Sequence, residues 1–528
     1  MEGHAGAASL LAPAVAICFA LATKRVIPSL AAGVVTAALV AASWSPVGAM
    51  GGMWSAVRHA LFNLDHLTIS AFSLAVAATV GVMGESGGTR SMVRRVETYA
   101  KGSRGAMVSS WLAGAIVFFD DYANCLVVGN AMGPLCDKHG VSRAKLSYIV
   151  DSTAAPVASL ALVSTWVGYE VGIIQDALPK DIPSAMAGMT GFSIFIDALP
   201  YRFYSLFTIV FVGSVAIMGR DFGPMFHAEQ AARRARKQAP VVDEVEHEDR
   251  TWLAALPVLT LVVLTLGLLL GDGVHNLGDK ASSARLFEIL GAAKFPYVDM
   301  LCGALVALWV AVSMSVEQKA MDSAQVTRAL WKGVHPVFEA LVVLYLAWSL
   351  VSAVETTGAN HYLSELLGPV LPPWALPTAV FLLAGATAFA TGTSFGTMGI
   401  LIPLVVPLAI QLAPELPHIL FASTAAVLAG ACLGDHASPI SDTTVLSALG
   451  SGVDVVTHVR TQLPYALTAG SIAVFAGTLP AGFGVNPLLL IPIGAVACIA
   501  VVRFVGRSPE DETGGALPAD AAAVGSAS

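Results

Sequence analysis

The chain has 528 residues, 56% hydrophobic and only 12% charged, against about 25% charged in a soluble globular domain, and its mean hydropathy is +0.73. That composition excludes an ordinary soluble fold and points to a polytopic membrane protein. The formal net charge of −8 says little about partners, because orientation in a bilayer follows where Lys and Arg stand rather than their total.

In chain order, "SLLAPAVAICFALATKR" (residues 9–25) follows Glu2 without a basic start, so it is expected to be a retained first span rather than a cleaved signal peptide. Next, Arg90, Arg94, Arg95, Lys101 and Arg104 crowd one loop, and Lys138, Arg143 and Lys145 crowd another. By the positive-inside rule both loops are cytoplasmic. The segment between them, 107–133, then cannot cross, and Asp120 and Asp121 split it into two arms too short to span. A re-entrant hairpin with the aspartates at its tip is the expectation. Such backbone is tolerated at membrane depth only where protein buries it or water reaches it.

The following apolar stretch, 146–174, contains Asp151, Thr153 and Pro156. Proline removes a backbone donor and clashes with the preceding turn, so a break near 151–156 is expected. After a further span at 203–219, residues 220–251 mix Arg and Lys with Glu and Asp and read as a solvated cytoplasmic linker.

Beyond the linker the order repeats. Spans near 252–271, 298–316 and 337–354 precede a second pair of short apolar arms, 382–409, around a Gly/Thr/Ser tip at 391–397 that includes Ser394. Then Asp435, Ser438, Pro439, Ser441 and Asp442 fall where the first half has Asp151 to Pro156. Counting spans, the second hairpin enters from the opposite side. The expected fold is therefore an all-α polytopic membrane protein of two inverted-topology repeats, each with a re-entrant hairpin and a broken transmembrane helix, plus one extra C-terminal helix. The expected domains are 1–219, the linker 220–251, the inverted repeat 252–481, the extra helix 482–507, and a disordered tail 508–528 with the C-terminus cytoplasmic.

Inverted repeats with broken helices point to a secondary transporter with its site near the midplane. Asp120, Asp121, Asn124, Asp151, Thr153, Ser394, Asp435, Ser438, Ser441 and Asp442 supply hard oxygens of the kind that bind small hard cations. No Lys or Arg occurs at 105–137, 146–179 or 333–459, so a cation is the more natural cargo than an anion. Several charged side chains at bilayer depth, each costing at least about 2.5–3.5 kcal/mol, are improbable without a function. Capping of a half-helix remains open for Asp120, Asp121 and Asp435. Glu170 is expected near the outer end of its span, in ion entry or interfacial solvation. Glu339 and His436 stand as proton-relay candidates, with snorkelling and a helix-terminal hydrogen bond as their plainer roles. Six scattered cysteines without a C-x-x-C pair indicate neither a zinc site nor a disulfide framework. No H-E-x-x-H or G-x-G-D signature supports an intramembrane hydrolase, and a pore suits discontinuous helices less well than alternating access does.

The stretches "FFDDYANCLVVGNAMGPLCDKHGVSRAKLSYIVDSTAAPVASLALVSTWVGYE" (118–170), "ATGTSFGTMGILIPL" (390–404) and "GDHASPISDTTVLSALGSGVDVVTHVRTQLPYAL" (434–467) resemble the NhaC family of Na+/H+ antiporters. The likeness covers most of the membrane region, and Gly434-Asp435-His436 sides with a "GDH" subgroup. The resemblance implies a bacterial inner-membrane antiporter of the ion-transporter superfamily, a non-enzyme without cofactor or nucleic-acid partner, moving by an elevator. Its implied cargo is Na+, held by the Asp/Ser/Thr positions above, against H+. Relatives exchanging organic acids such as malate and lactate leave an organic-acid or amino-acid carrier as the alternative, and a homodimer stays open.

Overall fold

The computed structural model describes residues 6–23, 25–97, 100–179, 181–236, 249–282, 284–358, 362, 366 and 371–509. It is helical throughout. Nine of the described helices are long and apolar enough to cross a membrane, or ten if the bent pair Gly191–Tyr201 and Phe203–Met218 counts as one span. The expected all-α polytopic class stands.

The first hairpin consists of Gly102–Ile116 and Asp121–His139. Its ends meet, since Ser103 Oγ donates to the His139 carbonyl at 2.7 Å. At the tip, Asp120 caps the second arm by accepting the Ala123 N–H at 2.8 Å, which supplies one of the donors that a helix start leaves unpaired. In place of the short arms expected at 382–409, the second hairpin has two helices each long and apolar enough to cross, Pro373–Thr391 and Ser394–Leu412; it turns through Gly392 at φ 71°, and Thr393 caps the second arm by accepting from Gly396 N at 3.3 Å. A left-handed φ at the first residue of this two-residue turn suits a residue without Cβ.

Both helix breaks exist, and the first is wider than Pro156 suggested. Arg143–Thr153 ends at Ala154, a single turn Ala155–Ala158 follows, and helix resumes only at Thr165–Asp176. Asp151 and Thr153 therefore lie inside the last turn before the break. The second break separates Pro417–Ala437 from Asp442–Ser451. Ser438 takes extended angles, φ −85° and ψ 132°, as a residue ahead of proline must. Asp442–Ser451 packs on both the first hairpin and Arg143–Thr153, and Val455–Ala473 packs on both broken helices.

Two further expectations change. The expected first span, 9–25, is the helix Leu11–Thr23, short for a crossing and packed on a second short helix, Val26–Ala41. At the turn between them Arg25 is exposed while Val26 is buried: a Cβ on Gly396 would come within 2.4 Å of Val26 Cγ2, so this turn is seated on the tip of the second hairpin. The stretch 220–251 is also more than a solvated linker, because Gly223–Arg236 is helical with Asp221 and Glu229 fully buried. The tail 508–528 lies outside the described residues from position 510 onward.

Candidate functional site

The two tips and the two breaks meet. The Phe119 carbonyl in the first tip accepts the Thr165 N–H at 3.1 Å, joining the hairpin to the second half of the first broken helix. Asn124 Nδ2 donates to the carbonyls of Gly114 at 2.7 Å, Thr153 at 3.0 Å and Val117 at 3.1 Å. One amide thus satisfies carbonyls freed at the end of one helix and at the break in another, which loose ends at membrane depth require. Tyr122 OH donates to Asp442, tying the first tip to the second break. Tyr169 OH donates to the Phe395 carbonyl at 2.5 Å, tying the first broken helix to the second tip.

The aspartates do not share one ligand shell: among the described residues no group of three or more His, Cys, Asp or Glu side chains is placed to hold a metal ion. They fall into separate nodes. Asp120 accepts Ala123 N and Thr165 Oγ1, the latter at 3.1 Å. Asp121, 2% exposed, follows Asp120 directly at the tip and precedes Tyr122, which reaches Asp442. Asp120 and Asp121 line a pocket of about 20 Å³ with Tyr122, Thr165 and Phe395, room for about one water or one small ion. Asp435 is no helix N-cap. It stands in the last turn of Pro417–Ala437 and reaches across the break to accept from Ser441 Oγ at 2.7 Å and Thr443 Oγ1 at 3.1 Å.

Asp151 forms another node. Its Oδ2 accepts from Gln462 Nε2 at 2.8 Å, lies 3.2 Å from His458 Nε2 and takes a longer contact of 3.4 Å from Thr444 Oγ1. His436 stands 3.9 Å away, its Nδ1 2.7 Å from Tyr204 OH and its Nε2 3.1 Å from Ser152 Oγ. His436 is therefore held by side chains of two other helices rather than by a helix end. The hydroxyls of Thr153, Ser394 and Ser438 donate to the carbonyls of Ile149, Ala431 and Phe389, so their oxygens can only accept from, or ligate, anything further.

Glu170 corrects its expectation. It is fully buried, paired with Arg202 at 2.8 Å, and Arg202 also donates to the Ser159 carbonyl inside the first break. Lys145, counted above as a loop cation, is fully buried and paired with Asp221, which also accepts from Tyr465 OH at 2.6 Å. Glu229 beside them accepts Ser142 N at 2.8 Å. Burial pushes its carboxyl up from the ordinary value, with Lys145 pulling the other way. Glu339 is exposed on the wall of a cavity of about 560 Å³ that Asp442, Tyr122, Thr393 and Arg25 also line. Fixed cations thus stand near the breaks after all. Sequence windows missed them because Arg25 and Arg202 lie outside the stretches that form the breaks. His458, Gln462, Thr443 and Tyr122 were missed as well, although all four stand inside the motifs that carried the family resemblance.

A family profile described as the Na+/H+ antiporter family matches residues 157–483. A Haemophilus influenzae protein described only as uncharacterized is 30% identical over 505 residues, covering 94% of this chain and 95% of its own. Among solved structures, the Alcanivorax borkumensis YdaH transporter, described as having an unusual topology, aligns with TM-score 0.51 at 16% identity over 84% of this chain and 90% of that one. Neisseria gonorrhoeae MtrF, described as illuminating a class of antimetabolite efflux pumps, aligns with TM-score 0.52 at 13% identity over 86% of this chain and 84% of that one. At such identities these two likenesses speak for the fold alone.

Proposed function

Because this chain belongs to the Na+/H+ antiporter family, we propose that it is a secondary antiporter exchanging Na+ for H+ by alternating access. One observation carries the proposal. The buried carboxylates divide into those with a fixed countercharge, Glu170 with Arg202 and Asp221 with Lys145, and those without. Asp120, Asp121 and Asp435 have no ion-pair partner among the described residues; Asp120 and Asp435 accept from hydroxyls and a backbone N–H, and the exposed Asp442, also without an ion pair, accepts from Tyr122 OH. An uncompensated carboxylate in a low-dielectric site is costly, so the three buried ones must hold either a cation or protons. Competition between the two for the same oxygens is what antiport requires.

In this reading Asp121 and Asp435 are two exchange positions in separate nodes, Asp121 at the small pocket of the first tip and Asp435 with Ser441 and Thr443 across the second break. Asp120 and Asn124 hold the tip in shape. Asp151, with His458, Gln462 and His436, is a buried polar node adjoining the exchange site. The repeated order of hairpin, broken helix and span in each half supports two inverted repeats, and Gly434-Asp435-His436 supports the "GDH" subgroup. The test is Na+-driven proton movement in proteoliposomes with an internal pH dye. Asp121→Asn and Asp435→Asn should abolish it while the protein still folds, and wild-type rates in both would move the site elsewhere.

A second reading, a Na+-coupled or exchange carrier of a small organic acid or amino acid, is favoured by Arg25 on the wall of the larger cavity.

A further inference from the structure

The cavity of about 560 Å³ between the N-terminal helix pair, the second hairpin tip and the second break falls within the roughly 300–1,000 Å³ of small-molecule sites, far more than a bare ion occupies. Its walls combine three features. Val26, Phe395 and Ile440 give it apolar faces; Asp442 and Glu339 give it two carboxylates; Arg25 gives it one cation. Arg25 makes no ion pair with either carboxylate among the described residues. Nor can its turn drift away freely, because Val26 is packed against Gly396 in the hairpin tip. Opposite charges are therefore held apart on one concave, partly apolar surface, and a ligand bearing both signs answers them together.

We propose that this cavity binds a small zwitterion of the α-amino-acid class. The ligand carboxylate pairs with the Arg25 guanidinium, which can take it through two parallel hydrogen bonds. Its ammonium group sits between Asp442 and Glu339, and its side chain lies on the apolar wall. A dicarboxylate would satisfy Arg25 but bring a second negative charge against two carboxylates. A simple amine would satisfy the carboxylates but meet the charge of Arg25. With the zwitterion bound, one negative charge on the wall is left over, and a co-bound Na+ or proton offsets it. The proposal rests on the second reading above and names its substrate class.

The experiment is titration calorimetry on the purified full chain in lipid nanodiscs, with and without Na+, using alanine, serine, valine and leucine. The carboxylate-only 4-methylpentanoate, the amine-only isoamylamine, and malate serve as comparators. At least one amino acid should bind, and both single-charge analogues and malate should bind at least about tenfold more weakly, since each leaves a charged group unanswered. Arg25→Gln should weaken amino-acid binding about 10- to 100-fold, with Arg25→Lys between it and wild type. Glu339→Gln, a change of one exposed side chain, should weaken the amino acid but not malate. No binding by any of the four amino acids, binding unchanged in both Arg25→Gln and Glu339→Gln, or malate binding tighter than all four would overturn the proposal. Na+-driven proton movement on the same preparation separates the readings. If it persists without amino-acid binding, the zwitterion proposal alone fails; if it is absent while amino acids bind, the simple antiport proposal alone fails.

Discussion

Thermal stability should tell the carboxylates proposed to exchange the ion from the structural ones. Glu170→Gln removes the countercharge of the fully buried Arg202, leaving only neutral oxygens, the glutamine amide and the Ser159 carbonyl, to accept from it. Removing one partner of a buried pair costs about 3–5 kcal/mol, so this variant should unfold at a clearly lower temperature with or without Na+. Asp435→Asn removes a charge that has no countercharge and retains an oxygen acceptor for Ser441 or Thr443. In Na+-free buffer its stability should match or exceed wild type. Wild type should gain about 2.7 kcal/mol at a Na+ concentration 100 times its Kd, and Asp435→Asn should lose that gain. Since protons compete for the same oxygens, the gain at fixed Na+ should grow as pH rises from about 6.5 to 9, with Na+ affinity rising up to tenfold, or about 1.4 kcal/mol, per pH unit for each proton displaced. Detergent-solubilised protein followed by tryptophan fluorescence on heating suffices. A full Na+ gain in both Asp121→Asn and Asp435→Asn, a gain independent of pH, or equal losses in Glu170→Gln and Asp435→Asn would refute the division of carboxylates into two kinds.

Other outcomes follow from single contacts. Gly450→Ala would bring a Cβ within 2.5 Å of the Cys125 carbonyl, wedging the first hairpin from the second broken helix. It should cost about 1–3 kcal/mol and slow transport measured by dye quenching without removing a chemical group. Asn124→Asp places an acceptor against three carbonyls and should prevent accumulation of folded protein on size-exclusion chromatography, whereas Asn130→Asp, at an exposed position, should not. Lys145→Met strands Asp221 and should cost about 3–5 kcal/mol, with Lys145→Met/Asp221→Asn recovering part of the loss in a thermal scan. Cysteines placed at Lys101 and Lys138, at the two ends of the first hairpin, should be labelled from the same side by an impermeant maleimide; opposite sides would refute the re-entrant hairpin.

Much of the site was legible because membrane chains carry few charges. Asp120 and Asp121 in a greasy run stand out, and so do Asp435 and Asp442 beside Pro439; the structure places the tip and the break at those residues. Capping for Asp120 was legible as well. The role of Glu170 was not, because its partner Arg202 is 32 positions away and belongs to another helix. Gln462, 311 positions from Asp151, looks in sequence like any polar residue near a helix end. Arg25 misled in a different way: a cation following an apolar run reads as the end of a span, and only the shortness of both helices and the seat of Val26 on Gly396 bring it to the cavity.

By itself, then, the sequence determined the class of the protein, the interrupted helices and the carboxylates at those interruptions. Hydropathy, proline and the cost of charge in a bilayer act locally, over the span of one helix. The tertiary structure decided which carboxylates are already neutralised. Whether Glu170, Asp151 or Asp435 is free to trade a proton for a cation depends on what lies within about 3–4 Å of its oxygens. That neighbourhood is set by how helices far apart in the chain pack together.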